Sequence, residues 1–190
     1  LTHSFNRITV DGDTSTNDTF AALASGLADN PEIRAGTVEA EQFSAAFDHV
    51  AGELAKWLVR DGEGASRFIE LKVSGARHTA DAERCARAVA NSLLCKTAWF
   101  GCDPNWGRIL DAAGYSGADI DPVEVSLYFE GQPVVRRGAG IDVPEPDLAR
   151  LVDRDHLHID LDLGLGKGEY TVWTCDLTYE YVKINAEYST

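Results

Sequence analysis

No apolar stretch of the sequence comes near the roughly 20 residues that a membrane helix requires. No signal-peptide pattern opens the chain. Basic residues are scarce: 17 Lys and Arg stand against 31 Asp and Glu, leaving a formal net charge of −14. Such a surface repels phosphate backbones and anionic lipids, so no nucleic acid and no membrane is expected as a partner. The acidity favours solubility and does not by itself identify a cationic substrate. Cysteine is sparse too. Cys85, Cys95, Cys102 and Cys175 form no C-x-x-C pair and no zinc-like spacing, so reduced, mostly buried thiols in a cytosolic protein are expected. There is no internal repeat, no low-complexity segment and no arguable Ser/His/Asp or Cys/His triad.

What is present is ordinary for a globular domain. The 190 residues are 44% apolar and 25% charged, enough to bury a substantial core. The first residues, Leu1 to Arg7, read as the tail of a helix entering a strand, so further chain is expected before them.

Hydrophobic periodicity gives the elements. Asn6 to Val10 alternates as a short strand, and a helix is expected from Asp18 or Thr19 through Leu27. Asn30, Pro31 and Gly36 mark a loop. Thr37 caps the clearest helix, in which Phe43, Phe47, Val50, Leu54, Trp57 and Leu58 form one apolar stripe. It stops near Asp61-Gly62-Glu63-Gly64. A strand over Arg67 to Val73 and a Thr79-capped helix reaching Leu93 follow. Cys95 to Phe100 reads as a buried strand, and Asp103 to Arg108 as a shaped loop before a helix ending near Gly114. Val123 to Phe129, Val134 with Val135, His156 to Leu163 and Tyr170 to Cys175 read as strands. Gly131 to Pro133 and Gly164 to Gly168 are turns, Asp147 to Val152 a helical patch, and Leu177 to about Tyr188 a closing helix. Interspersed helices and strands joined by tight turns imply α/β layers with mixed or antiparallel sheets.

Four features could carry chemistry. The polar run VDGDTSTNDT lacks the glycine and glutamate of a calcium loop, because those positions hold Thr16 and Ala22. Glu63 lies between two glycines, which allows a ligand to approach without crowding, although a solvated turn would look the same. His156, His158, Asp160 and Asp162 alternate on one strand face. Imidazole and carboxylate are normal metal ligands, yet a solvated face above Leu157, Ile159, Leu161 and Leu163 accounts for the pattern, and no metal site is expected. The glycines of Gly164 to Gly168 lack the Lys-Ser/Thr of a P-loop. Spacing alone therefore yields an acidic α/β domain and no reaction.

Four longer segments add more: VDGDTSTNDT at residues 10 to 19, DGEGASRFIEL at 61 to 71, KTAWFGCDPNWGRILDAAG at 96 to 114 and WTCDLTYEYVKINAEYST at 173 to 190. In this order and at these spacings they resemble the β chain of the ornithine acetyltransferase (bifunctional glutamate N-acetyltransferase) family, from about Phe5 to Thr190. The resemblance implies mixed sheets sandwiched between helices, the ornithine acetyltransferase/DmpA-like fold. Residues 1–115 would supply a catalytic-layer part, and residues 116–190 a C-terminal part returning to the active site. The implied reaction moves an acetyl group from N2-acetylornithine to glutamate through an acyl-threonine. The implied partner is an α chain cut from the same precursor, assembled as an (αβ)n oligomer in the cytoplasm. No cofactor is implied, and acetyl-CoA enters only as a possible second donor.

The chain departs from the family pattern at its start, which lacks Thr-Met-Leu. The nucleophilic threonine would lie upstream of Leu1, and Thr2 falls too late in the pattern to serve, so no catalytic residue is expected here. Three substrate-contacting positions match the family: Glu63 in DGEG, Asn185 in KINAEYST, and Thr190. Glu63 can pair with an ammonium group, Asn185 offers a donor and an acceptor to an amino-acid head group, and Thr190 brings a hydroxyl and a carboxylate. Two other readings remain compatible: an N-terminal-nucleophile amidase or aminopeptidase, and a non-catalytic amino-acid-binding subunit.

Overall fold

The computed structural model describes residues 1–188. Its centre is a six-stranded mixed sheet, in the order β4-β3-β2-β5-β1-β6. The strands are β1 (Phe68–Ala76), β2 (Ser126–Phe129), β3 (Gln132–Arg136), β4 (Ala139–Gly140), β5 (His156–Asp162) and β6 (Gly168–Cys175). The helices are α1 (Val38–Arg60), α2 (Thr79–Asn91), α3 (Leu93–Phe100), α4 (Trp106–Gly114), α5 (Glu145–Val152) and α6 (Tyr179–Glu187). Among the strands of the described residues, β1 and β5 pair in parallel and the other neighbours are antiparallel. A mixed sheet and interspersed helices agree with the α/β class read from the sequence.

Strand alternation builds the core. Ile69, Leu71 and Val73 of β1, Leu157, Ile159 and Leu161 of β5, and Leu127 and Phe129 of β2 are all buried in one cluster. Against them lies α2, whose buried Ala82, Cys85, Ala86, Val89 and Ala90 keep the helix close to the sheet. Ile109, Ala112 and Ala113 of α4 complete that layer. Each large side chain buried this way contributes roughly 1.5–3 kcal/mol. On the other face, Val59 of α1 meets Phe68 and Cys175 in a smaller cluster with Ile8, Val10 and Trp173 at its margin. Thus β1 and β6 lie between α2 and the end of α1. Burial pushes the Cys85 thiol up to about 12, and Cys95 and Cys175 are also buried and held high by desolvation.

Three expectations are corrected. Cys95 to Phe100 is helical, within α3, and not a strand. A short apolar run cannot distinguish the two states, and here Ser92 decides it by accepting the Cys95 N–H at the helix N-cap. Residues 18–27 form no helix. Leu23 and Leu27 are 98% and 83% exposed, and an isolated helix of that length gains too little without a packed face. Asn6 to Val10 is not a full strand: Phe5–Arg7 is a 3-10 turn, and Ile8 makes a single bridge to Trp173. That segment is pinned instead by side chains. The Arg87 guanidinium and the Tyr170 hydroxyl both donate to the Asn6 carbonyl, and Thr9 meets Asn91 at 2.7 Å.

The apolar stripe on α1 forms where the periodicity puts it but does not face this chain's core. The helix buries Ala51, Gly52, Ala55 and Val59, while Phe43 and Trp57 are 59% and 63% exposed and Phe47, Val50, Leu54 and Leu58 are exposed too.

Candidate functional site

Two distant parts of the chain meet beside the end of α1. The turn Asp61–Gly64 follows that helix directly, and Asp61 closes it by donating its backbone N–H to Trp57 O. The positive φ of Gly64, +67°, turns the chain toward β1. From the other end, α6 is launched by Asp176 and Thr178. Asp176 is 3% exposed. Its carboxylate accepts the backbone N–H groups of Ser66 and Arg67 at 2.8 and 3.0 Å, and also the Ser66 hydroxyl. The Thr178 hydroxyl caps α6 by accepting from Tyr181 N and donates to Gly64 O at 2.6 Å. These bonds fix the first turn of α6 on the Asp61–Gly64 turn.

As a result Asn185 Nδ2 donates to Glu63 Oε2 at 2.7 Å. Two of the three site residues expected from the sequence are therefore in direct contact, although 122 positions apart. The same amide nitrogen also donates to Tyr181 O at 3.0 Å. Thr190, the third expected residue, lies outside the described residues. Tyr181 and Asp11 were missed by the sequence reading. The Tyr181 hydroxyl donates to Asp11 Oδ2 at 2.9 Å, which ties the polar segment after Val10 to α6. Desolvation and that bond to Asp11 push Tyr181 up to about 12, so it remains a neutral donor. The dense polar run after Val10 was the signal in the sequence for Asp11.

The rim is acidic, with Asp11, Asp13 and Glu63 grouped around Tyr181. Such a rim favours an ammonium group. Adjacent to it, and sharing Asp61, is an open groove of about 1090 Å3 lined by Leu1, Phe5, Ile8, Phe20, Leu54 and Trp57 among others. Glu63 and Asn185 lie outside that lining. Lys96, 1% exposed, reaches under the site from α3 and donates to Thr174 Oγ1 and to Cys175 O. Burial lowers its pKa below the ordinary 10.5, opposed by Cys175, Asp176 and Asp11.

Gly64 sets the fit between the two parts. A Cβ there would stand 2.6 Å from Tyr181 N and 2.9 Å from Glu180 C. Gly64→Ala is therefore expected to cost about 1–3 kcal/mol and to lift α6 from the turn. Thermal unfolding and backbone exchange across Tyr179–Glu187 would register both effects; a wild-type Tm with unchanged exchange would contradict the packing described.

The polar face of β5 is exposed at His156 and His158 above buried Leu157, Ile159 and Leu161, as its alternation implies. Asp162 turns back to accept Gly164 N at 3.0 Å, whereas His156 and His158 face Glu70 of β1, and one oxygen of Glu70 lies 3.5 Å from His158.

A family model described as the ArgJ family matches residues 1–190. The arginine biosynthesis bifunctional protein ArgJ of Geobacter sulfurreducens is 50% identical over 189 residues, 98% of this chain and 48% of that protein. Its counterpart in Symbiobacterium thermophilum is 49% identical over 187 residues, 98% of this chain and 46% of that protein. The crystal structure of ArgJ from Bacillus halodurans superposes with a TM-score of 0.92 at 40% identity, covering 97% of this chain and 87% of that one. The chain spans about half the length of the curated relatives it matches. With the whole of its length matched by the family model and half of its residues identical to a member's, this chain belongs to the ArgJ family.

Proposed function

We propose that this chain is the β portion of a glutamate N-acetyltransferase that moves the acetyl group of N2-acetylornithine to glutamate in arginine biosynthesis. The observation that carries the reading is the 2.7 Å bond between Asn185 and Glu63, because it joins two substrate-contacting positions of the family in one acidic, solvent-facing place. Family membership supplies the reaction class.

In this reading a threonine hydroxyl from polypeptide preceding Leu1 attacks the acetyl carbonyl. Its proton passes to the free α-amine of the same threonine and on to the departing ornithine amine. The amine of glutamate then attacks the acyl-threonine, N-acetylglutamate leaves, and the hydroxyl is restored. Glu63 holds an ammonium group of the substrate, and a lysine outside this chain reads a carboxylate. Asn185 orients the head group, and Thr190 would add its hydroxyl. No organic cofactor is required; acetyl-CoA would serve only as a second donor.

The partner in this reading is the α chain from the same precursor, with further assembly of αβ pairs in the cytoplasm. Among the described residues no helix is long and apolar enough to cross a membrane. Support for a companion polypeptide comes from α1, where every residue from Glu41 to Val50 is exposed, including Phe43 and Phe47. Trp57→Glu is expected to leave this chain folded and to reduce recovery of the paired α chain at least about 10-fold, consistent with loss of a buried aromatic anchor. Equal recovery by affinity purification of co-expressed chains would remove α1 from the interface.

The deciding experiment is an assay of the complete protein with N2-acetylornithine and labelled glutamate. Labelled N-acetylglutamate is expected; release of free acetate without transfer would favour the amidase reading. Absence of both would favour a non-catalytic amino-acid-binding role.

A further inference from the structure

His156 and His158 are two positions apart on β5, so the strand pleat sends both imidazoles to one face. Parallel pairing sets Phe68 opposite His156 and Glu70 opposite His158, which brings a carboxylate to the two rings. One ligand atom from each of Glu70, His156 and His158 lies within 4.8 Å of the others, and Glu70 Oε1 stands 3.5 Å from His158 Nδ1. A tetrahedral zinc ion with bonds of about 2.0–2.2 Å needs ligand atoms about 3.3 Å apart. One edge of the triangle is thus already near that length. The longest, at most 4.8 Å, must shorten by no more than about 1.5 Å, which small χ rotations of partly exposed side chains can supply.

The surroundings favour the same use. Trp173 Nε1 donates to Glu70 Oε2 at 2.9 Å, holding the carboxylate with its other oxygen toward His158; such an outer partner orients a metal ligand. The Phe68 ring stands edge-on to His156, at 4.8 Å and 80°, and limits its rotation. The two imidazoles lie 4.2 Å apart at 34°. Glu130, which accepts the backbone N–H of His158 at 2.7 Å, adds a second negative charge nearby. Arg60, over the Phe68 ring at 4.5 Å, opposes a cation but is matched by that glutamate.

We propose that Glu70, His156 and His158 form a binding site for a divalent transition-metal ion, zinc by preference, on the face of the sheet opposite α2. Two imidazoles and one carboxylate make a ligand set suited to such an ion. Three protein ligands leave a fourth position for water or for a donor from another polypeptide. The site shares no residue with the Glu63–Asn185 pair and stands whether or not the acetyl-transfer reading holds.

The test is zinc titration of the chelator-stripped, full-length protein in competition with a chromophoric chelator. Wild type is expected to hold one more zinc ion per chain than the double variant His156→Gln/His158→Gln. Glu70→Gln, which keeps an acceptor for Trp173, and Trp173→Phe should each weaken that ion by at least about 10-fold. Each single histidine variant should weaken it by about 100-fold or more, which keeps the comparison valid if the double variant is unstable. Equal zinc content in wild type and the histidine variants, or an affinity unmoved by Glu70→Gln, would overturn the site.

Discussion

Asp176→Ala is expected to destabilise the protein by about 3–5 kcal/mol, the range for removing one member of a buried charged network. The carboxylate is buried and accepts from Ser66 N, Ser66 Oγ and Arg67 N. Alanine leaves those donors in the interior without their acceptor, each at a cost of about 1–3 kcal/mol. It also withdraws a negative charge that favours the buried Lys96 ammonium. Asp176→Asn should lose less, about 1–2 kcal/mol, because an amide oxygen can still accept from the backbone. Urea unfolding measures both, and an alanine variant within about 0.5 kcal/mol of wild type, the range of an ordinary surface change, would contradict this account. Lys96 adds a pH signature. Its folded-state pKa lies below its ordinary 10.5, so between the two values the unfolded chain binds more protons. Stability from this group therefore rises as pH climbs through that window. Lys96→Met should flatten the rise, visible as a smaller gain in Tm on the alkaline side.

Glu63→Gln should lower kcat/KM for N2-acetylornithine by about 100-fold in the complete enzyme. A hydrogen bond to a charged group contributes about 1.5–3 kcal/mol, and 100-fold corresponds to about 2.7 kcal/mol. The substitution keeps an oxygen for Asn185, so the contact between the turn and α6 survives while the charge is lost. Because Glu63 is exposed, stability should move by less than about 0.5 kcal/mol. Separate measurements for donor and acceptor then show which substrate carries the ammonium that Glu63 meets. Unchanged affinity for both would remove Glu63 from the binding site.

Where burial alternates strictly, the sequence was sufficient. His156 to Asp162 and Tyr170 to Cys175 are strands because period-two apolar residues can bury one face only in an extended chain. Thr37 begins α1 by accepting the Ala40 N–H, a local capping interaction that needs no tertiary partner. Glu63 and Asn185 were legible through family resemblance, since nothing about their spacing implies contact. The run Cys95 to Phe100 was misread because an apolar hexapeptide fits a buried helix or a buried strand equally, and Ser92 with the layer beneath decided between them. Residues 18–27 carried helical spacing, but beyond Phe20, which meets Phe5 and Phe47, Leu23 and Leu27 remain exposed.

Sequence alone thus determined the alternating strands, the capped α1, the acidic surface and the family. Tertiary structure alone decided which face of α1 is buried, that Asp176 anchors α6 on the turn holding Glu63, and that Glu70 stands beside His156 and His158. The physical reason is range. Periodicity and capping act within a few residues, whereas these contacts join positions about 86 to 122 apart and exist only after loop closure has been offset by burial elsewhere.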